Sequence, residues 1–401
     1  MIFFKRSLLF ASVILSTQIF LAQNALAWSY HHLVTKAALS HILELRDEKV
    51  VPTPFSELVR ALGYANADEF NQSILINKKY IFSPKLNEKP GVPIKAIEIL
   101  TTYSDEPDWG MDIALFEPDQ YPQLWKDEYA MMGGKKGTSS QGFRHMYWQS
   151  LTLRDPIITF KLPITKTFSS MGQSPQRALD FVRLARRAAA KNQRYWSLRF
   201  LANALHYLED VSQPFHAAQT PTKKFIAMPF KDEMGSGKKD FVLQMQHIIE
   251  YYHHAFEEYV GRLMKMNAEG AAHPDAAAFV NYLSGMSTET SELPNSILDI
   301  KLLTEKMAAL AAHRGARTGQ VSLDFFPRIK VSYVELDIDV YMDQPWWNFV
   351  MAQGQLPSEA RTQYMAIVRE MFVTLGDAIR RVVMAEAKVK NTMFALDGVE
   401  R

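Results

Sequence analysis

The sequence predicts a mainly α protein, a multi-helix bundle, on three observations. Apolar residues recur at helical spacing through several long stretches. Strong helix boundaries stand at Ser174-Pro175 and before Pro214. Period-two alternation shows in one place only, Arg328–Met342.

The elements follow in chain order. Lys5 and Arg6, an apolar run from Leu8 to Ala22 and Ala25-Leu26-Ala27 have the form of a secretory signal peptide. Cleavage after Ala27 makes Trp28 the mature N-terminus, so residues 1–27 are set apart from the fold. Leu33–Leu45 has a helical period. The glycine- and serine-rich stretch Gly133–Ser140 reads as a loop. Ser174 as N-cap and Pro175 at the first helical position start a helix running to about Lys191. Another helix spans about Gln193–Val211 and ends before Pro214. Phe241–Met266 and Ser358–Lys388 are long helical candidates. The sequence divides into the leader 1–27, a main unit 28–266, and a C-terminal extension 267–401 that carries the strand at 328–342.

Composition narrows the function. Lys and Arg number 45 against 43 Asp and Glu. The two basic residues of the leader account for the difference, so the remainder is balanced. A binder that neutralises nucleic-acid phosphates needs a basic face, and no nucleic-acid partner is expected. Cysteine is absent. An exported chain without cysteine has no disulfides, and any transition-metal site in it must use His, Asp, Glu or terminal groups.

Those groups are clustered. In His206-Tyr-Leu-Glu-Asp210-Val-Ser-Gln-Pro-Phe-His216, positions four apart share a helix face, so His206 and Asp210 can grip one cation. Pro214 stops the helix and lets His216 reach a neighbouring position. In Tyr252-His253-His254-Ala-Phe-Glu257-Glu258, two overlapping pairs, His253/Glu257 and His254/Glu258, have the same spacing. Spacing alone does not choose between them. The free amine of Trp28, with His31 and His32 close behind, offers a third group. Asp105, in Tyr103-Ser-Asp-Glu-Pro-Asp108-Trp109, and His145 complete the set. Taken singly, each is better read as a surface pair, a turn former or a core histidine. Taken together they supply every donor that a cysteine-free site for several zinc ions requires.

Through these residues the chain resembles the bacterial zinc-dependent phospholipase C family, which shares a superfamily with the S1/P1 nucleases. Trp28 after the leader, His206-x3-Asp210-x3-Pro214-x-His216, and Tyr252-His253-x2-Phe256-Glu257 carry the resemblance, which covers roughly residues 28–262. It implies a helical fold of that type and three zinc ions. One zinc is expected on the amine and carbonyl of Trp28, His32 (preferred over His31) and Asp210. Asp210 then bridges to a second zinc on His145, His206 and Asp105. The third is expected on His216, His253 and Glu257, the Tyr-His-x2-Phe-Glu context favouring that pair. Asp105 is also the candidate general base.

The activity implied is hydrolysis of the glycerol-side phosphodiester of a phospholipid at a membrane surface, with zinc-activated water as nucleophile. The products are diacylglycerol and a phosphorylated head group. Export to the periplasm or the medium is expected. Glu257, where the nucleases typically carry Asp, and Gly235-Ser236-Gly237, in place of their Gly-Gly-Asn loop, favour phospholipase over a nuclease cutting single strands. A non-catalytic exported zinc protein is the third reading. Trp346-Trp347 with Phe349 is a candidate lipid-contacting patch, although core packing is the stronger reading.

Overall fold

The computed structural model describes residues 30–77, 80–85, 88–89, 91–111, 144–149, 171–218, 238–271, 273–286, 288, 290–294, 299–327, 344–355 and 358–387. The leader, Trp28, the loop at 133–140, Gly235–Gly237 and the strand expected at Arg328–Met342 lie outside them.

The fold is mainly α. Among the described residues, strand is confined to two antiparallel pairs of two residues each, Lys49–Val50 with Ile94–Lys95 and Tyr147–Trp148 with Met171–Gly172. The first part of the chain forms α1 (His31–Leu39), α2 (Leu43–Asp47), α3 (Phe55–Ala61), α4 (Ala67–Ser73) and α5 (Ala96–Tyr103). The period expected over Leu33–Leu45 is therefore split, with α1 ending at Leu39. A 3-10 turn, Glu106–Asp108, follows α5 closely.

Two long helices come next, α6 (Ser174–Ala190) and α7 (Arg194–Asp210). They pack side by side, and Asn192 makes the reversal between them with φ 57°. The start of α6 departs from the expected cap. Gln173 occupies the cap position without a side-chain bond, and the Ser174 hydroxyl donates to Arg144 O at 2.9 Å instead. Helix α7 is buried on every side from Tyr195 to Asp210. It is a central helix, which explains why polar residues within it must find partners inside the protein. It stops ahead of α8 (Pro214–Ala217), whose first N–H is met by the Gln213 side chain.

The remaining helices are α9 (Lys238–Ala268), α10 (Pro274–Ser284), α11 (Ile300–Phe325), α12 (Gln344–Gln355) and α13 (Glu359–Ala387). Helix α13 lies against α10, α11, α1 and α7. The Tyr364 hydroxyl of α13 donates to Phe256 O of α9 at 3.1 Å. One hydrophobic cluster runs from Val34 to Val383, so residues on both sides of position 266 share a core. Trp346 belongs to it: its ring stacks on Phe326 and its Nε1 donates to Tyr251 Oη at 2.8 Å. Among the described residues no helix is long and apolar enough to cross a membrane.

Candidate metal centre

Near its C-terminal end, α7 turns His206 and Asp210 to one side, with His206 Nε2 3.2 Å from Asp210 Oδ2. Neighbouring elements bring further donors to the same place. Asp108, on the 3-10 turn, has Oδ1 3.7 Å from both His145 Nδ1 and His206 Nε2. His145 Nδ1 lies 2.9 Å from His206 Nε2 and 2.9 Å from Asp210 Oδ2. On the other side of Asp210, Oδ1 lies 3.5 Å from His31 Nε2. Among the described residues neither of these two buried atoms has a hydrogen-bond partner. Asp210 thus faces two groups of donors, one through each oxygen.

A third group stands just past the helix end. His216 Nε2, His253 Nε2 and Glu257 Oε1 form a triangle with sides of 2.9, 3.2 and 3.0 Å. His216 comes from α8. The other two come from α9, where their four-residue spacing puts them on one face. His254 is not part of the triangle; its ring stacks on that of His253. Glu258 pairs with Arg262, one turn further along the helix.

Backbone carbonyls orient the rings. His206 Nδ1–H donates to Ser104 O at 2.7 Å and His216 Nδ1–H donates to His145 O at 3.0 Å. A carbonyl can only accept, so each ring keeps its proton on Nδ1 and directs the Nε2 lone pair into the cluster. His31 Nδ1 lies 2.6 Å from Glu209 Oε2, and Glu209 Oε1 accepts from Thr35 Oγ1 at 2.5 Å.

Burial and mutual charge perturb several of these groups. Burial pushes Asp210 up, but His206 and His145 outweigh it and hold the carboxyl well below its usual range. Glu257 behaves likewise: burial raises it, and His253 and His216 more than compensate, so it is lowered. Burial lowers His206 and His216, yet Asp210 and Asp108 beside the first, and Glu257 beside the second, raise them. Burial with His206 nearby keeps His31 well below its ordinary value. Burial pushes the Asp108 carboxyl up to about 7 and Glu209 well above the carboxylate range.

The donor set fits zinc. Three groups, His31/His206/Asp210, Asp108/His145/His206 and His216/His253/Glu257, each gather donor atoms within 4.8 Å of one another. Tetrahedral zinc with bonds of about 2.0–2.1 Å to nitrogen and oxygen holds its ligands about 3.3 Å apart. The separations of 2.9 to 3.7 Å bracket that value. Imidazole with carboxylate and no thiolate suits zinc better than calcium or magnesium. With the His31 proton on Nδ1, His31 Nε2 and Asp210 Oδ1 face each other with lone pairs, and both gain from a cation between them.

Two expected donors sit elsewhere. His32 is half-exposed and pairs with Asp105, which accepts from His32 N at 2.9 Å and lies 2.6 Å from His32 Nδ1. The residues that approach Asp210, His145 and His206 are His31 and Asp108. The reason is helical register and turn geometry. His31, Val34, Thr35 and Ala38 form the buried stripe of α1, and His32 is a third of a turn away. Asp105 ends the turn after α5, while the 3-10 turn at Glu106–Asp108 carries Asp108 inward. The apolar period of α1 is the signal that distinguishes the two histidines. Sequence reasoning passes over Glu209; its sign is a second acidic residue directly beside Asp210.

Buried Arg199 anchors the turn that carries Asp108. Its guanidinium makes a two-pronged pair with buried Glu106, with Nε 2.9 Å from Oε2, and lies 3.9 Å over the Tyr103 ring.

No protein-family model matches this sequence, and no curated protein matches it. Among solved structures, Clostridium perfringens alpha-toxin from the avian strain SWCP is similar at 12% sequence identity and a TM-score of 0.32, over 90% of this chain and 65% of that one. The chain thus spans a little under two thirds of the toxin structure's length.

Proposed function

We propose that this protein is an exported zinc-dependent phosphodiesterase that acts as a phospholipase C at a membrane surface. The observation that carries the reading is the position of Asp210, which presents one oxygen to His31 and the other to His145 and His206. A third donor triangle stands beside it, with His216 Nδ1 3.9 Å from Asp210 Oδ1. The sequence pattern around His206–His216 and Tyr252–Glu257 supports the phospholipase assignment within that class.

Asp108, His145, His206 and Asp210 are the residues to hold one zinc ion, His31 and Asp210 a second, and His216, His253 and Glu257 a third. Bound zinc supplies acidified water near neutral pH and positive charge against the phosphate oxygens. The chain's own part is to hold the donors at fixed separations and to bury the carboxylates. The carbonyls of Ser104 and His145 fix which ring nitrogen faces inward. The His216 group has three protein donors, which leaves room for a water or a substrate oxygen. Asp105 takes no such place, since both its oxygens are engaged by His32.

The test uses purified mature protein and vesicles of phosphatidylcholine and phosphatidylethanolamine. The expected result is release of phosphorylated head group, abolished by a chelator and restored by zinc. Cleavage of single-stranded nucleic acid with lipid left intact would move the assignment to the nuclease class. Stoichiometric zinc with neither activity would leave a structural zinc protein.

A further inference from the structure

We propose that Glu209 is a positioning residue for the cation between His31 and Asp210, gripping His31 from behind without itself being a ligand. This rests on the zinc reading above.

Glu209 and Asp210 are consecutive on α7 and reach opposite edges of the same imidazole. Glu209 Oε2 is 2.6 Å from His31 Nδ1, and Asp210 Oδ1 is 3.5 Å from His31 Nε2. With Nδ1–H donating to the Glu209 carboxylate, the Nε2 lone pair has one direction, toward Asp210. A carboxylate behind a ligating histidine fixes its tautomer and ring angle and makes it a better donor. The second oxygen of Glu209 is tied down by Thr35, one turn along α1 from His31. Glu209 therefore links α7 to α1 at the point where the two helices share the site.

Nothing else in its surroundings accounts for Glu209. It has no solvent exposure. Among the described residues its side-chain partners are His31 and Thr35, with no arginine or lysine to offset its charge. Burial by itself favours the neutral acid, so the ionised carboxylate that accepts from His31 Nδ1–H needs positive charge close by. A dication on the far side of His31 provides it. Were Glu209 only a packing residue, an apolar side chain would serve the buried helix better.

The experiment measures zinc affinity rather than turnover. Wild type, Glu209→Ala, Glu209→Gln and Thr35→Val are loaded with zinc and titrated with a competing chelator of known strength. Metal per chain is read by emission spectroscopy. Glu209→Ala is expected to weaken one zinc by about 10- to 100-fold while the others hold. Glu209→Gln keeps an acceptor oxygen and should fall between the alanine variant and wild type, and Thr35→Val should show a smaller weakening. A Leu283→Ala variant, which opens the core where the end of α10 meets α13, should keep wild-type affinity for every ion. If Glu209→Ala fails to fold, the glutamine and valine variants decide by themselves. Unchanged affinity in all three Glu209 and Thr35 variants would overturn the inference alone. A wild-type protein that holds no zinc would overturn it together with the proposed function.

Discussion

Arg199 and Glu106 meet in the interior 93 residues apart in sequence, with Arg199 Nε 2.9 Å from Glu106 Oε2. Tyr80 Oη also donates to Glu106, at 3.0 Å, and Arg199 Nη1 donates to Tyr195 Oη at 2.9 Å. The pair joins α7 to the 3-10 turn, the same two elements that bring His206 and Asp108 together. Removing one member of a buried ion pair strands the other charge, at a cost of about 3–5 kcal/mol. Glu106→Gln should therefore lower unfolding stability by about that amount in reversible denaturant melts. The double variant Glu106→Met/Arg199→Met should recover most of it, because no charge is stranded. A Glu106→Gln protein as stable as wild type would show that the pair carries no such burden.

Asp210 and Glu257 are expected to differ in how many ions they control. Asp210 faces two donor groups and Glu257 one. Asp210→Ala should lower bound zinc by more equivalents than Glu257→Ala, read as metal per chain after dialysis. Equal losses in the two variants would mean that Asp210 does not bridge.

Zinc affinity should rise with pH. Burial pushes the Asp108 carboxyl up to about 7, and a proton there must leave before the oxygen can bind a cation. Below that pH a proton competes with zinc; above it the competition ends. His206 and His216, raised by their carboxylate neighbours, compete in the same direction. Chelator competition at pH about 5.5, 6.5 and 7.5 should show affinity climbing and then levelling. A flat profile would contradict the assignment of these groups as ligands.

Gly376 tests how the C-terminal helix is seated. A side chain at this position of α13 would strike the backbone carbonyl of Leu283 at the end of α10. Backbone cannot step aside as a side-chain tip can, so Gly376→Ala should cost about 1–3 kcal/mol of stability. Zinc binding should survive, since no donor lies on either helix. Differential scanning calorimetry and metal analysis on the same sample separate the two effects. A thermally neutral Gly376→Ala would mean that α10 and α13 approach less closely.

Some of this was readable along the chain, because it depends on neighbours in sequence. Helical periodicity and proline placement are local properties, so the α class and the helices around His206–Asp210 and His253–Glu257 could be read from spacing. Helix α11 was harder. Its buried stripe mixes Thr304, Ala308, Ala311, Gly315 and Thr318, small and polar residues that give a weak apolar signal. The serine at the start of α6 is also ambiguous, since Ser174 ties Arg144 rather than capping the helix.

By itself the sequence determined the secondary-structure class, the inventory of nitrogen and oxygen donors without thiol, and the pairs that share one helix face. Only the tertiary structure decided which donors converge. His31 rather than His32 faces Asp210, and Asp108 rather than Asp105 faces His145 and His206. Those choices turn on a rotation of about 100° per residue in α1 and on a single 3-10 turn. They are set by how α1, α5 and α7 pack around one another, and a change of one residue in register there moves a side chain from the core to the surface.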